Sequence, residues 1–463
     1  MPHRESFAKL RARYRAGQLN PLDVAESAVA HALEVDGQLN AFALLDRERA
    51  MMAARASAQR WQQGSPRSPI DGMPLTVKEA MAVAGWPTRY GSLTMPDDPA
   101  TRSAEFVRRL EQAGAVLIGK TRAPEFNWKG VTDSPGFGVT RNPWNPSWTP
   151  GGSSGGCAAA VAAGVVRVSI GSDAGGSVRI PAAFTGILGL KPTFGRIPVV
   201  PYPSHFSQLA HYGPLAASVA DMADVLAVIT GPATGDWTSL AGNARPWAPP
   251  EAFDQRWRIG VLAPDHWEAA HAVVRAGMEQ FVGLVAQAGL MVAEVDIDLA
   301  PAVAAASMLY RIGCHVATSS IDPVRRALLD PGLVDFMRDV ETLTLRDYMD
   351  LMRARDVFAS QMAALFEQYD LFVLPTLPVL PFEAGREVPD GWSGPDWMSW
   401  NPYTPAFNLS QHPALSYPVW PEHAPAPAGI QIVAAPGRED RLLGLASWLE
   451  ERLTIRLATL PHT

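Results

Sequence analysis

Two glycine-flanked serines and an upstream lysine are the residues of this 463-residue chain whose types and spacing could carry chemistry. Ser153 lies in Gly151-Gly152-Ser153-Ser154-Gly155-Gly156, and Ser177 lies in Gly171-Ser172-Asp173-Ala174-Gly175-Gly176-Ser177-Val178-Arg179-Ile180-Pro181. A serine hydroxyl is a weak nucleophile at neutral pH and needs a base within hydrogen-bond reach. Consecutive glycines let backbone N–H groups converge on one point, an arrangement that suits an oxyanion. Lys78 ends Gly72-Met73-Pro74-Leu75-Thr76-Val77-Lys78 and is the candidate base, provided that burial beside Leu75 and Val77 lowers its pKa from the usual value near ~10.4. Alone, a lysine ending a strand reads as exposed and ionised. Its partnership with the two serines gives the functional reading weight.

Two other motif matches compete. Gly114-Ala115-Val116-Leu117-Ile118-Gly119-Lys120-Thr121 fits the phosphate-loop pattern letter for letter. That loop needs a flexible cradle followed by a helix, whereas its variable positions here are Val-Leu-Ile and Pro124 follows closely; a buried strand ending in a turn is the better reading. The Gly151–Gly156 run also contains G-x-S-x-G, the elbow of α/β-hydrolases, with Ser153 or Ser154 as nucleophile and His211 or His412 on paper as partner. The elbow must follow a strand. The three prolines of Asn142-Pro143-Trp144-Asn145-Pro146-Ser147-Trp148-Thr149-Pro150 argue against a central strand there.

Elements that would position these groups alternate along the chain, which favours an α/β fold. Helical spacing runs from Asn20 to Asp36, with Asn20 as cap and Pro21 at the first position. Further helices are expected over Asp46–Gln63, Ser103–Ala113, Cys157–Ala163, Ser218–Ile229 and from about Leu345 to Tyr369. Strands are expected at 72–78, Ala115–Ile118, Val165–Ile170 and Leu371–Leu374, with a strand-helix-strand unit from Arg258 to about Val295. Residues 232–256 read as loop. Residues 384–404 hold Trp392, Trp397, Trp400 and Tyr403 among Gly and Pro, and read as either a substrate lid or a packed surface loop.

Composition bounds the function. The hydrophobic set makes up 47% and charged residues 18%, enough apolar material for a large core. The net charge is −7, and the scattered basic N-terminus (Arg4, Lys9, Arg11, Arg13, Arg15) forms no phosphate-binding stripe, so nucleic acid is a poor partner. Two cysteines, Cys157 and Cys314, are too few to staple this length and read as free thiols in a reducing compartment. The N-terminus lacks a signal-like apolar core, and no apolar run approaches the roughly 20 residues that span a bilayer, so a cytoplasmic protein without membrane partner is expected.

The glycine-serine motifs resemble those of the amidase-signature family, whose Gly-Gly-Ser-Ser-Gly-Gly and Asp-x-Gly-Gly-Ser-x-Arg cores are both present, with the lysine upstream. Similarity continues through Gly119-Lys120-Thr121, Asn142-Pro143-Trp144-Asn145, Gly189-Leu190-Lys191-Pro192-Thr193, Tyr212-Gly213-Pro214 and Phe407-Asn408-Leu409-Ser410. Glu79, where Asp commonly follows the lysine, and Cys157, where a small residue such as Ser is usual, depart from the pattern. The resemblance implies one large α/β domain over 1–463 with a central mixed sheet flanked by helices on both sides. Within it, 1–65 would form N-terminal helices, 66–232 the signature core, 233–400 a variable peripheral region and 401–463 a return to the core.

It further implies that Ser177 attacks a carbonyl while Ser153 relays the proton to Lys78 and later to the leaving nitrogen. The Gly152–Ser153 peptide would be cis. Backbone N–H groups of Ala174, Gly175, Gly176 and Ser177 would bind the oxyanion, Asp173 and Arg179 would brace the loop, and Ser154 would support Ser153. No metal or organic cofactor is expected. The 14 tryptophans hint at an apolar or aryl-bearing substrate, an amide first and a carbamate or aryl ester second, since all share acyl-transfer chemistry. A rival is an amidotransferase component that feeds ammonia to an aminoacyl-tRNA enzyme and needs a permanent protein partner. Oligomeric state is left open.

Overall fold

The computed structural model describes residues 1–201, 206–239, 247–458 and 460. Eleven strands form one sheet: Phe42–Leu45 (β1), Pro74–Lys78 (β2), Val116–Thr121 (β3), Val168–Asp173 (β4), Leu188–Lys191 (β5), His211–Ala216 (β6), Arg258–Leu262 (β7), Met291–Val295 (β8), Leu371–Pro375 (β9), Ala414–Val419 (β10) and Ala428–Val433 (β11). Their spatial order is β1-β3-β2-β4-β6-β5-β10-β11-β9-β7-β8. The sheet is mixed: β2 runs parallel to β3 and β4, and β7 parallel to β8 and β9. The remaining pairs are antiparallel. Thus the strand-helix-strand unit after residue 257 extends the same sheet that carries Lys78.

Every residue of β2, β3, β9, β10 and β11 is buried, as expected of strands covered on both faces. Alternation separates the faces. Leu117 on β3 packs into one apolar cluster with Leu75 and Val77, while its neighbours Val116 and Ile118 pack into another with Ala158 and Val161. The second cluster also takes the helices Pro21–Leu39 and Arg47–Gln62 through Ala25, Ala28, Val29, Ala32, Ala50 and Ala54. The first takes Val274, Met278 and Phe281 of the helix Ala272–Gln287. A single α/β domain with a mixed central sheet flanked by helices is the architecture that results.

The local readings hold with shifted ends. Asn20 caps its helix by accepting N–H bonds from Leu22 (2.8 Å) and Asp23 (3.1 Å), but the helix continues to Leu39 and stops at left-handed Asn40. The strand expected at 165–170 starts at Val168 and continues to Asp173, and the one expected at 115–118 continues to Thr121. The letter-perfect phosphate loop is therefore mostly strand, with no α-helix directly after it, and Lys120 Nζ donates to Pro87 O at 2.6 Å. Residues 142–150, before Ser153, contribute no strand to the main sheet. Part of the loop expected at 232–256, residues 240–246, lies outside the described residues. The helices that the sequence pattern does not announce include Glu439–Glu450, Arg179–Thr185 and Ala300–Ser319. The buried face of the last is largely Ala302, Ala305, Ala306, Gly313 and Ala317, small residues that give a weak apolar signal.

Candidate active site

β2 and β4 are neighbours with parallel register, Val77 opposite Ile170, so their C-terminal ends bring Lys78 beside the Ser172–Ser177 loop. Ser153 enters from the turn that starts the helix Gly155–Ala162, and the Gly152–Ser153 peptide is cis. Lys78 Nζ lies 2.7 Å from Ser153 Oγ and 3.0 Å from Ser172 Oγ. Ser154 N–H donates to Ser177 O at 3.1 Å, joining the two serine loops, and Ser154 Oγ donates to Ser172 O at 3.1 Å. Lys78, Ser153 and Ser177 are all buried. Burial pulls the Lys78 pKa down to about 7 against weaker upward pulls from Cys157, Asp173 and Glu79. A neutral amine, able to accept a proton from Ser153, is thereby accessible near neutrality.

The loop before Ser177 is pinned from below. Asp173 Oδ1 accepts from Gly176 N–H (2.8 Å), and Oδ2 accepts from Val178 N–H (3.2 Å). Arg179 closes a two-pronged pair on the same carboxylate, 2.9 Å on each oxygen. Asn408 Nδ2 adds a third bond to Oδ1 at 2.9 Å, and Arg179 reaches on to Thr404 O, Gln431 Oε1 and Asn408 Oδ1. Burial alone would raise the Asp173 pKa, yet Arg179, Lys191 and Asn408 hold it well below the usual carboxylate range. It stays ionised, so its grip on the loop persists at any working pH.

Gly176 sits at φ +120°, and a methyl there would lie 2.1 Å from Thr404 Oγ1, so only glycine fits. The Gly176 N–H, one of the four expected oxyanion donors, is donated to Asp173 Oδ1 in this structure. Among the described residues no acceptor takes the N–H of Ala174, Gly175 or Ser177. The Gly175 carbonyl, on the other side of that peptide, is tied down by Asn401 Nδ2 (2.7 Å) and Thr404 Oγ1 (2.8 Å).

Above the loop stands Tyr310, from the alanine-rich helix Ala300–Ser319. Its hydroxyl donates to Asn127 O, and Ser177 lies near enough to act on it electrostatically. Burial pushes its pKa well above the normal phenol value, so it remains a neutral donor. The ring packs on Phe206 and Trp397, with centroids 4.5 and 5.4 Å away. Trp397 and Trp400 are fully buried and Tyr403 nearly so, so the aromatic segment of 384–404 packs inward as a wall. Ser172 is visible inside the glycine cluster but carries no distinguishing pattern; Tyr310, Asn401 and Thr404 give no local signal at all.

His211 and His412 do not approach the serines as triad partners. Each ring Nδ1 bonds the carbonyl two residues before it, Leu209 O and Ser410 O, and burial next to Lys191 pushes both pKa values down, that of His412 to about 4. Cys157 and Cys314 are free and buried. Cys157 packs against Thr121 Oγ1 at 2.9 Å, beneath Lys78. No helix among the described residues is long and apolar enough to cross a membrane.

An α/β fold with a buried lysine hydrogen-bonded to a serine beside a glycine loop is the class this geometry defines. The chain belongs to the amidase family, whose model, described as Amidase, matches residues 23–443. It is 31% identical to an acylamidase of Rhodococcus erythropolis, covering 97% of this chain and 95% of that protein. It is 34% identical to a glutamyl-tRNA(Gln) amidotransferase subunit of Deinococcus deserti, covering 94% of each. The crystal structure of a bacterial aryl acylamidase of the amidase-signature enzymes superposes with a TM-score of 0.86 at 26% identity, covering 97% of this chain and 96% of that one. The protein is an amidase-signature hydrolase of amides.

Proposed function

We propose that the protein cleaves apolar or aryl-bearing carboxamides through an acyl-enzyme on Ser177. Ser153 takes the Ser177 proton and passes its own to neutral Lys78. Ser177 Oγ bonds to the carbonyl carbon, and the N–H groups of Ala174, Gly175 and Ser177 receive the oxyanion. On collapse, the C–N bond breaks while the proton returns through Ser153 to the leaving nitrogen, which departs as a neutral amine. Water repeats the sequence, releasing the acid and restoring the three groups. Oxyanion donors of this kind are each typically worth about 2.7–4 kcal/mol of barrier.

The observation that carries this reading is the buried Lys78 amine, 2.7 Å from Ser153 Oγ, with its pKa drawn down to about 7. The aromatic wall of Tyr310, Phe206 and Trp397 supports an apolar or aryl group next to the reacting carbonyl, as does the similarity to acylamidases. Carbamates and aryl esters would react by the same steps. Matched anilide, carbamate and ester substrates, assayed by amine or phenol release, test the order of preference. Fastest turnover of the carbamate or the ester would overturn amide preference.

The similarity to amidotransferase components favours a second reading, in which the acyl donor is glutamine and activity needs a protein partner. Anilide hydrolysis by the purified chain alone would set that reading aside. Glutamine-dependent ammonia release appearing only with a partner would establish it.

A further inference from the structure

Behind the Lys78 strand lies a second cavity, of about 210 Å³, lined by Glu79, Arg89, Lys120, Arg122 and Phe137 together with Asp97 and the β1 backbone region at Ala43 and Leu44. Lys120 pairs with Val77 across β2 and β3, one register step from Lys78 opposite Thr121, so the alternation of a strand points it to the other face of the sheet. The cavity is therefore separate from the serine site, although Glu79 follows Lys78 directly.

Its polar groups are unbalanced. Both oxygens of Glu79 are already taken by backbone N–H groups, Arg89 at 2.5 Å and Gly91 at 2.9 Å. Lys120 is buried, and its amine is held by Pro87 O (2.6 Å) and Thr88 Oγ1 (3.1 Å), with no carboxylate among the described residues within ion-pair distance. Asp97 is largely exposed and stands 3.4 Å from Arg89. Arg122 is the sharpest signal: its Nε and Nη1 are buried and have no hydrogen-bond partner among the described residues. The carboxylates that act on it from further off, Asp36 and Glu79, are both engaged by backbone N–H groups, Asp36 by Ala41 and Phe42 and Glu79 by Arg89 and Gly91.

Arg89 and Arg122 both stand over the ring of Phe137, 4.4 and 5.7 Å from its centroid. Such stacking holds guanidinium planes in place while their edges remain free to donate. Two arginines and a lysine thus line a small concavity with buried donors unmade, and leaving buried charged donors unpaired is costly.

We propose that this cavity binds a small oxyanion, a carboxylate or a phosphate group, that accepts from Arg122 and Arg89 next to Lys120. Its volume suits a single anion head with a short attached chain. Binding there is independent of the chemistry at Ser177.

The test is a calorimetric and thermal-melting titration of the full chain with inorganic phosphate, with succinate and, at matched ionic strength, with sodium chloride. Saturable binding of phosphate or succinate is expected, weakened by roughly tenfold or more in Arg122→Gln, as the loss of a charge-assisted fork predicts. The half-exposed Arg89→Gln provides a second variant if Arg122→Gln does not fold, and the same loss is expected. Binding of only one of the two anions would identify the source and support the site. Equal stabilisation by chloride, no saturable signal, or binding left intact in the variants that fold would overturn it.

Discussion

The two flanks of the sheet are built by different physics. Around β4 and β10, charges lie deep inside and are held by partners: Asp173 and Arg179 are both fully buried and share two hydrogen bonds, and Lys191 is held by His412 O and Pro192 O. Over β7–β9, the outer helices carry ion pairs in water. Arg353 and Asp350 on the helix Leu345–Gln368 are mostly exposed, 3.6 Å apart, and Leu345, Met349 and Val357 of the same helix are exposed as well. The first flank sets one rigid arrangement of backbone donors and proton carriers. The second contributes Tyr310 and the Trp397–Trp400 turn to the site, reaching in over a fixed floor. In the proposed function, chemistry and selectivity thus have separate structural sources, a division that lets one motif set serve many substrates.

Breaking the relay should have the largest effect. Ser177→Ala and Lys78→Ala are each expected to lower kcat by roughly 10⁴-fold or more, and Ser153→Ala by about 10²–10⁴-fold, since members of one proton path act as a unit. Steady-state amine release from folded variants is the measurement; near-normal turnover by any of the three would remove it from the relay.

Next comes the buried ion pair. Arg179→Met leaves Asp173 charged and unpaired and is expected to cost about 3–5 kcal/mol of stability in urea unfolding. A loss comparable to that of a surface arginine would erase the contrast between the flanks.

The pH profile sharpens the same contrast. A lysine is neutral above its pKa, so kcat/KM should rise with pH, about tenfold per unit below neutrality, and level off near the Lys78 value of about 7. A profile still climbing tenfold per unit at pH ~9 would mean that the amine is not held down by burial.

Tyr310→Phe keeps the ring but removes the bond to Asn127 O and the contact with Ser177. Rates for anilide and ester are expected to fall unequally, by several-fold, within the roughly 1–3 kcal/mol span of a lost buried hydrogen bond. Equal loss on all substrates would assign Tyr310 to the floor instead of the selective wall. At the small end, Arg353→Ala should change stability by less than about 0.5 kcal/mol, as exposed pairs do.

Much of the site is legible in the sequence because its signals are local. The Gly171–Pro181 and Gly151–Gly156 runs name the backbone that must turn sharply, and a lysine closing an apolar strand names a buried amine. What fails are readings that depend on neighbours far along the chain. The Gly171–Pro181 run does not reveal that the Asp173 side chain takes the Gly176 N–H. Tyr310 has no local mark because a tyrosine on an alanine-rich helix reads as core, and its partners, Asn127 and Ser177, come from other elements.

The amino-acid order alone determined the family, the α/β alternation, the two serine loops and the lysine, because glycine freedom, apolar periodicity and capping act within a few residues. Only the tertiary structure decided which donors remain unengaged, how far the lysine is desolvated, and which side chains roof Ser177. Those properties arise from parallel strand register and from packing between segments far apart along the chain, and no short-range pattern encodes them.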